Sequence, residues 1–376
     1  MSITTYVWKI ASRCNLNCRY CYVYHAADTS WRGQPGYMTL GVAEAAARKI
    51  RLHCESRGIR SININFHGGE PLLAGMSRLQ LYIEAIRKAF NESSIEVNSS
   101  IQSNGLLLDN ATCKWLATNA IGLYLSVDGP PQLNDRWRLD QLGRPTGQKL
   151  EERIRALIAS EYRSIFQGFL VVVDPSFSAR AVFDYIAQFN PPAVDFLFPL
   201  LNHDTWDGRE YGQWLIECFD YWFDGNSGIR ARTFEQYIVR LLLPDNSDEA
   251  APIDALVIET DGSYELDDTL KTAYSGATKL GLNVVDHSVK EVIESAVFRD
   301  SCERFRPAKQ CEACQFFTAC RGGHISQRYS CDRGFDNVNV YCEEFKTLIS
   351  HISKRLNRQL ATFSRTKHAE QPRIDA

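Results

Sequence analysis

Cys14-Asn15-Leu16-Asn17-Cys18-Arg19-Tyr20-Cys21-Tyr22-Val23-Tyr24 follows directly on an apolar run, Thr4 to Ile10, that reads as a β-strand. Three cysteines in C-x3-C-x2-C spacing therefore sit on one short loop. Three thiolates so placed hold three corners of a [4Fe–4S] cluster, which ordinarily takes four protein sulfurs. The fourth iron is left open to a ligand that is not a side chain. A zinc site is the competing reading. Zinc prefers four tetrahedral protein ligands, usually from two paired knuckles, and only His25 lies nearby as a fourth.

Around this loop the chain alternates strands and helices. Strand-like runs cover Ile3–Ala11, Ser61–His67, Ile95–Gln102, Ile121–Val127, Phe166–Val173 and Val194–Leu200. Helical stretches lie between them: Thr39–Arg57 closed by Gly58, Ser77–Asn91, Asp109–Asn119, Gly147–Ser160 and Ser178–Asn190. Ser77 with Gln80 reads as a capping box and Asp109 as an N-cap. This order predicts an α/β fold with parallel strands and right-handed crossovers, either an open sheet or a partial barrel. Both architectures place their sites at the C-terminal ends of the strands, where the cysteine loop falls. The rhythm stops near Leu201. An aromatic stretch with a helix over Tyr211–Phe223 follows, then a linker at Asp245–Glu249, a hairpin over Leu256–Glu265 turning at Asp261-Gly262, and a polar tail beyond Leu356. The aromatic residues from Trp206 to Trp222 either line a cleft or form the buried face of an amphipathic helix.

The 376 residues are 44% hydrophobic and 23% charged with a net charge of −3, which makes no electrostatic case for nucleic acid or an anionic membrane. No apolar run reaches membrane-span length, and Met1–Thr5 has no signal-peptide pattern, so a cytoplasmic protein is expected. In a reducing compartment twelve cysteines point to metal ligation or catalysis rather than disulfides. Cys54, Cys113 and Cys218 are scattered through apolar helical contexts and read as buried thiols. Six others crowd into 302–342, among them Cys311-x2-Cys314-x5-Cys320 and Cys342, a metal-site spacing that suits iron–sulfur or zinc.

Other strand ends carry polar turns. Strand two ends in His67-Gly68-Gly69-Glu70-Pro71, strand three in Gln102-Ser103-Asn104-Gly105, and strand four in Ser126-Val127-Asp128-Gly129-Pro130. Each is a plain turn on one reading. On the other, glycines admit close backbone approach to a ligand and Glu70 accepts hydrogen bonds from an ammonium group.

The cysteine loop, with Tyr20 as the aromatic before Cys21, resembles the signature of the radical S-adenosylmethionine (SAM) superfamily. The resemblance implies a partial (β/α)6 TIM-like barrel. It implies that Cys14, Cys18 and Cys21 hold the cluster, and that the open iron chelates SAM and cleaves it to a 5′-deoxyadenosyl radical. Gly68-Gly69-Glu70 matches the motif that binds the SAM amino group, and Asn104, Ser126, Asp128 and Arg138 fall where related enzymes face the SAM ribose and carboxylate. The C-terminal cysteines resemble the SPASM module, which implies an auxiliary [4Fe–4S] cluster on Cys311, Cys314, Cys320 and Cys342. Two positions depart from that pattern: Asp267 and His324 stand where cysteines of a second auxiliary cluster are expected. Cys302 and Cys331 are left as spare thiols, substitute ligands or a surface pair. Asp268 matches a catalytic base of sulfatase maturases, with Glu259, Glu265 and Asp267 as nearby competitors and a solvated hairpin carboxylate as the plain alternative.

The expected domains are a barrel over 1–205, a helical linker over 206–254, a SPASM-like domain over 255–350 and a helix end with a polar tail over 351–376. The stretches Cys21–Arg32, Ile258–Ser263, Asp268–Ala273 and Gly334–Asn337 resemble maturases that form three-residue cyclophanes in ribosomal peptides. That likeness implies a crosslink between an aromatic ring and the Cβ of a residue two positions downstream. Thioether-forming, epimerising and sulfatase-activating maturases are the alternatives, and a non-catalytic Fe–S or zinc protein leaves Gly68-Gly69-Glu70 unexplained. The implied partners are a short precursor peptide and an external electron donor of the flavodoxin or ferredoxin type. With strand one so near Met1, no fused N-terminal leader-binding domain is expected.

Overall fold

The structure, a computed structural model, describes residues 3–225, 227–243 and 253–369, with side chains described as far as 361. The expected linker at Asp245–Glu249 lies outside the described residues. Six parallel strands, β1 (Thr5–Ala11), β2 (Ser61–Gly68), β3 (Glu96–Ser103), β4 (Ile121–Ser126), β5 (Phe166–Val172) and β6 (Ala193–Leu197), lie side by side in sequence order. The sheet continues past both ends of that set. A two-residue β7 (Arg230–Ala231) pairs with β6, while β8 (Ala255–Ile258) pairs in parallel with β1, and β9 (Ser263–Glu265) and β10 (Lys279–Asn283) follow antiparallel. The result is a mixed α/β fold built on a partial, TIM-like barrel.

Alternation along the strands decides what each face does. On β2, Ile62, Ile64 and Phe66 are fully buried against the helices, while Asn63, Asn65 and His67 point the other way, into the barrel. TIM barrels ordinarily fill that interior with branched apolar side chains. Here polar residues line it, and a cavity of about 1450 Å³ occupies the space.

The helices begin and end where local chemistry directs. Thr39 accepts from the Val42 amide to start Leu40–Arg57, and Gly58 closes it in the left-handed region at φ 65°. Asp109 caps Asn110–Thr118 through the Thr112 amide, and Ser178 caps Ala179–Ala187 through Ala181. The expected capping box at Ser77 and Gln80 does not form. The helix starts earlier, at Gly75, straight out of the Pro71–Ala74 turn, so Ser77 lies inside it, and Gln80 instead accepts from the Trp115 indole.

The helix Gly212–Asp224 buries Trp214, Leu215, Cys218 and Phe219 in the core, so its aromatic stretch is packing and not cleft lining. The last helix, Cys342–Ala369, continues beyond Leu356, where the sequence reads as a polar tail. Asp220 of the Gly212–Asp224 helix fastens it, accepting from His351 and Arg355. Cys54 and Cys218 are fully buried and Cys113 nearly so, as expected of structural thiols. Among the described residues no helix is long and apolar enough to cross a membrane.

Candidate functional site

The cysteine loop leaves β1 at Ala11 and is strapped from one side by Trp137–Gln141. Arg19 and Asn17 donate their amides to the Trp137 and Leu139 carbonyls at 2.9 and 2.8 Å, and the Gln141 amide bonds the Leu16 carbonyl at 2.7 Å. Leu16, 2% exposed, pins the loop to the core. From the other side β2 approaches so closely that Gly69 and Glu70 donate their amides to the Ala11 and Arg13 carbonyls at 2.8 and 2.9 Å. A Cβ on Gly69 would collide with the Arg13 carbonyl and the Tyr24 phenol. The glycine therefore admits the cysteine loop itself, a closer neighbour than the ligand its motif suggests.

Cys14, Cys18 and Cys21 all line the large cavity. Burial pushes the Cys14 thiol up to about 12, the Cys18 thiol to about 11, and the Cys21 thiol also upward. Three half-buried thiols in such surroundings become thiolates only with cationic compensation, which an iron–sulfur cluster supplies. The Leu16 amide already donates to Cys14 Sγ at 3.3 Å. The donor set fits a three-cysteine cluster.

Around this loop the strand ends converge. Glu70 is 1% exposed, and its carboxylate accepts from the Leu72 amide at 3.0 Å, the Ser103 hydroxyl at 2.8 Å and the Asn104 amide at 2.8 Å. Burial nonetheless raises its pKa, so a cationic partner in the cavity would stabilise the charged form. The Asn104 side chain bridges to Asn15 at 2.8 Å. Tyr20 donates to Asp128 Oδ2 at 2.6 Å and receives Arg138 Nη1 at 2.7 Å. Ser126, Tyr20 and Arg138 line the cavity, and Arg138 Nε has no partner among the described residues. Asp128 lies behind them, 1% exposed and off the cavity wall, so it orients Tyr20 and Arg138 from the rear.

Asp268 proves to be no solvated hairpin carboxylate. It is 7% exposed, lines the cavity, and is gripped by Lys9 on one oxygen and by Lys271, 3.4 Å away, on the other. Burial alone would raise its pKa, but Lys9 and Lys271 outweigh burial and hold it well below the carboxylate range. Lys271 also bonds Glu259 at 2.6 Å and lies 3.3 Å from Glu265, so its ammonium sits among three carboxylates. Burial lifts Glu265 to about 7 against the pull of Lys271. Lys9 Nζ lies 3.2 Å from His67 Nδ1, and burial together with Lys9 lowers that imidazole to about 3, leaving it neutral.

Cys311, Cys314, Cys320 and Cys342 converge on a second, small cavity with Phe316, Phe317 and Lys346. Four cysteines around one small cavity are a full ligand set for a [4Fe–4S] cluster, one that would leave no open position for substrate. The two departures from the SPASM pattern meet in space: Asp267 Oδ2 and His324 Nε2 are 3.3 Å apart, with Thr269 Oγ1 bonded to Asp267 Oδ1 at 2.8 Å. An acid–imidazole pair thus stands where two sulfur ligands were expected. Cys302 and Cys331 lie off the four-cysteine cavity, and Cys331 is exposed.

The cavity wall also contains residues the motifs do not announce. Arg232, Thr233, Gln236, Tyr237 and Arg240 line it from the helix Arg232–Leu242. Their i, i+1, i+4, i+5, i+8 spacing is legible as one helical stripe, although nothing in it names a ligand. The inward-facing Asn63 and Asn65 were readable as the polar half of a period-two strand.

Residues 8–174 match the radical SAM superfamily model, and these residues contain the strapped cysteine loop, Glu70 and Arg138. That stretch is a radical SAM domain, and the protein is an enzyme of radical SAM chemistry that works with SAM and iron–sulfur clusters. More particularly, it is similar to a cysteine-type anaerobic sulfatase-maturating enzyme of Clostridium perfringens, 26% identical over 92% of this chain and 95% of the relative. A serine-type counterpart from Klebsiella pneumoniae is 24% identical over 84% of this chain and 79% of its own length. Among solved structures, anSMEcpe with bound AdoMet and a Cp18Cys peptide superposes with a TM-score of 0.80 at 25% identity, covering 96% of this chain and 99% of that one. Streptococcus suis SuiB bound to its precursor peptide SuiA shares the fold, with a TM-score of 0.63 at 15% identity over 91% of this chain and 76% of that one.

Proposed function

We propose that this enzyme is a peptide maturase that oxidises a residue of a short precursor peptide held in the barrel cavity. One observation carries the reading. A single cavity of about 1450 Å³ is lined both by the Cys14–Cys18–Cys21 loop with Glu70 and Arg138, and by Asp268, Arg321 and His324 of the C-terminal region. That volume exceeds a small-ligand pocket and leaves room for a peptide beside a nucleoside-sized cofactor.

In this reading Cys14, Cys18 and Cys21 hold the open cluster. Glu70 receives the SAM ammonium, while Arg138, Asn104 and Ser126 face its carboxylate and ribose, and Tyr20 and Asp128 hold Arg138 in place. When bound, SAM and the reduced cluster supply a radical able to remove a hydrogen atom from carbon. Asp268 presents an ionised carboxylate to the substrate. Cys311, Cys314, Cys320 and Cys342 hold an auxiliary [4Fe–4S] cluster, and a flavodoxin or ferredoxin supplies electrons from outside.

The relatives favour side-chain oxidation of the sulfatase-maturating kind. A second reading, three-residue cyclophane formation, draws on the Asp267–His324 pair, which removes two sulfur ligands of the expected second auxiliary cluster and so departs from the sulfatase maturases. Anaerobically reconstituted enzyme, reduced and given SAM, should release 5′-deoxyadenosine. Tandem mass spectrometry of a Cp18Cys-type peptide, and of any short peptide encoded beside the gene, then separates the two. Altered cysteine with an unbroken fragment ladder supports the first. Loss of two hydrogens with fragmentation suppressed between an aromatic residue and its second neighbour supports the cyclophane. No 5′-deoxyadenosine under reducing conditions defeats both.

A further inference from the structure

Among the described residues most of the charged side chains on the cavity wall are paired. Arg232 bonds Asp195 at 2.7 Å, Arg138 lies 3.9 Å from Asp128, Asp267 meets His324 and Asp268 meets two lysines. Arg240 and Arg321 have no carboxylate partner among the described residues. Arg240 donates only to the Ala319 carbonyl at 3.1 Å, and Arg321 is held by its backbone alone, at φ 56° immediately after Cys320. Both are half-buried on the wall of the large cavity, one from the helix Arg232–Leu242 and one from the C-terminal cysteine region. Ala319, whose carbonyl Arg240 reaches, stands two positions before Arg321, which brings both arginines to one corner of the wall.

Two guanidiniums on one wall, with no carboxylate partner among the described residues, form a site prepared for an anion. Each offers planar donors matched to a carboxylate. The neighbours Thr233, Gln236 and Tyr237 add polar and aromatic surface on the same helical stripe, continuous with the space in front of Asp268. We propose that Arg240 and Arg321 bind a carboxylate of the precursor peptide, an Asp or Glu side chain or the peptide's own C-terminus, and so set which residue reaches the radical. This assignment rests on the peptide-maturase reading and names the chemistry of its substrate.

The test uses the reconstituted holoenzyme and a randomised peptide library with one fixed aromatic residue, prepared with free and with amidated C-termini. Wild-type enzyme should enrich Asp or Glu at a constant offset from the aromatic residue, or should require the free C-terminus; the two libraries tell these sources apart. R240M/R321M should lose that enrichment and bind the selected acidic peptide at least tenfold more weakly, while R240K/R321K retains part of it. Unchanged iron content in the variants excludes misfolding as the cause. Two results overturn the proposal. One is retention of peptides with no acidic preference. The other is a double variant that shifts the electron paramagnetic resonance spectrum of the auxiliary cluster but keeps the wild-type peptide preference, which would assign the arginines to the Cys320 thiolate. If no version retains any peptide over a scrambled control, the maturase reading itself fails.

Discussion

Lys271 is the residue on which the buried charge cluster turns. Its ammonium touches Glu259, Glu265 and Asp268, all at most 7% exposed. Removing one partner from a buried ionic set leaves the others uncompensated and costs about 3–5 kcal/mol. Lys271→Met should therefore lower the free energy of unfolding by that much in equilibrium denaturation, at unchanged m-value. Asp268→Asn keeps the shape, and it should abolish peptide product while 5′-deoxyadenosine release continues; measuring both in one reaction separates a substrate role from a structural one. Glu265 makes the cluster pH-sensitive. Its carboxyl is raised from 4.5 to about 7, so its proton is held more tightly in the folded state. That contribution to stability is complete below about pH 4.5 and is lost as pH rises through 7. Glu265→Gln should flatten the fall in melting temperature across that window.

At the scale of elements, the N-terminal half was largely readable. Ile62, Ile64 and Phe66 alternate with Asn63, Asn65 and His67, and a period of two sends one set to the helices and the other to the cavity. Capping residues such as Thr39, Asp109 and Ser178 marked their helices because each satisfies an amide within three residues. The Ser77–Gln80 box failed because a local match does not know that the preceding turn already runs into the helix. The motif glycines also have a structural use that the motif does not announce: Gly69 serves the contact between β2 and the cysteine loop. Gly69→Ala should push the loop from Glu70 and lower iron incorporation at the N-terminal site. Iron per chain, compared with a Cys311→Ala variant that keeps the N-terminal site, reads this out.

Across the whole molecule, two metal-type sites bracket one cavity, and residues some 250 positions apart in sequence build its wall, as β8 pairs with β1 from Thr5↔Ala255 to Trp8↔Ile258. Cys320→Ala should remove iron from the C-terminal site alone, leaving SAM cleavage intact and halting peptide oxidation if the auxiliary cluster accepts the substrate's electron. Iron analysis and paired assays of 5′-deoxyadenosine and peptide product check this. By itself the sequence determined the alternating strands and helices, the three-cysteine loop, the four C-terminal cysteines and the positions of Glu70 and Asp268, because each depends on short spacing or on a motif a few residues long. The tertiary structure alone decided that Asp267 pairs with His324, that Lys9 and Lys271 grip Asp268, that Asp128 stands behind Arg138, and that Arg240 and Arg321 share a wall. Those are contacts between segments far apart in the chain, and charge pairing across such distances leaves no periodicity to read.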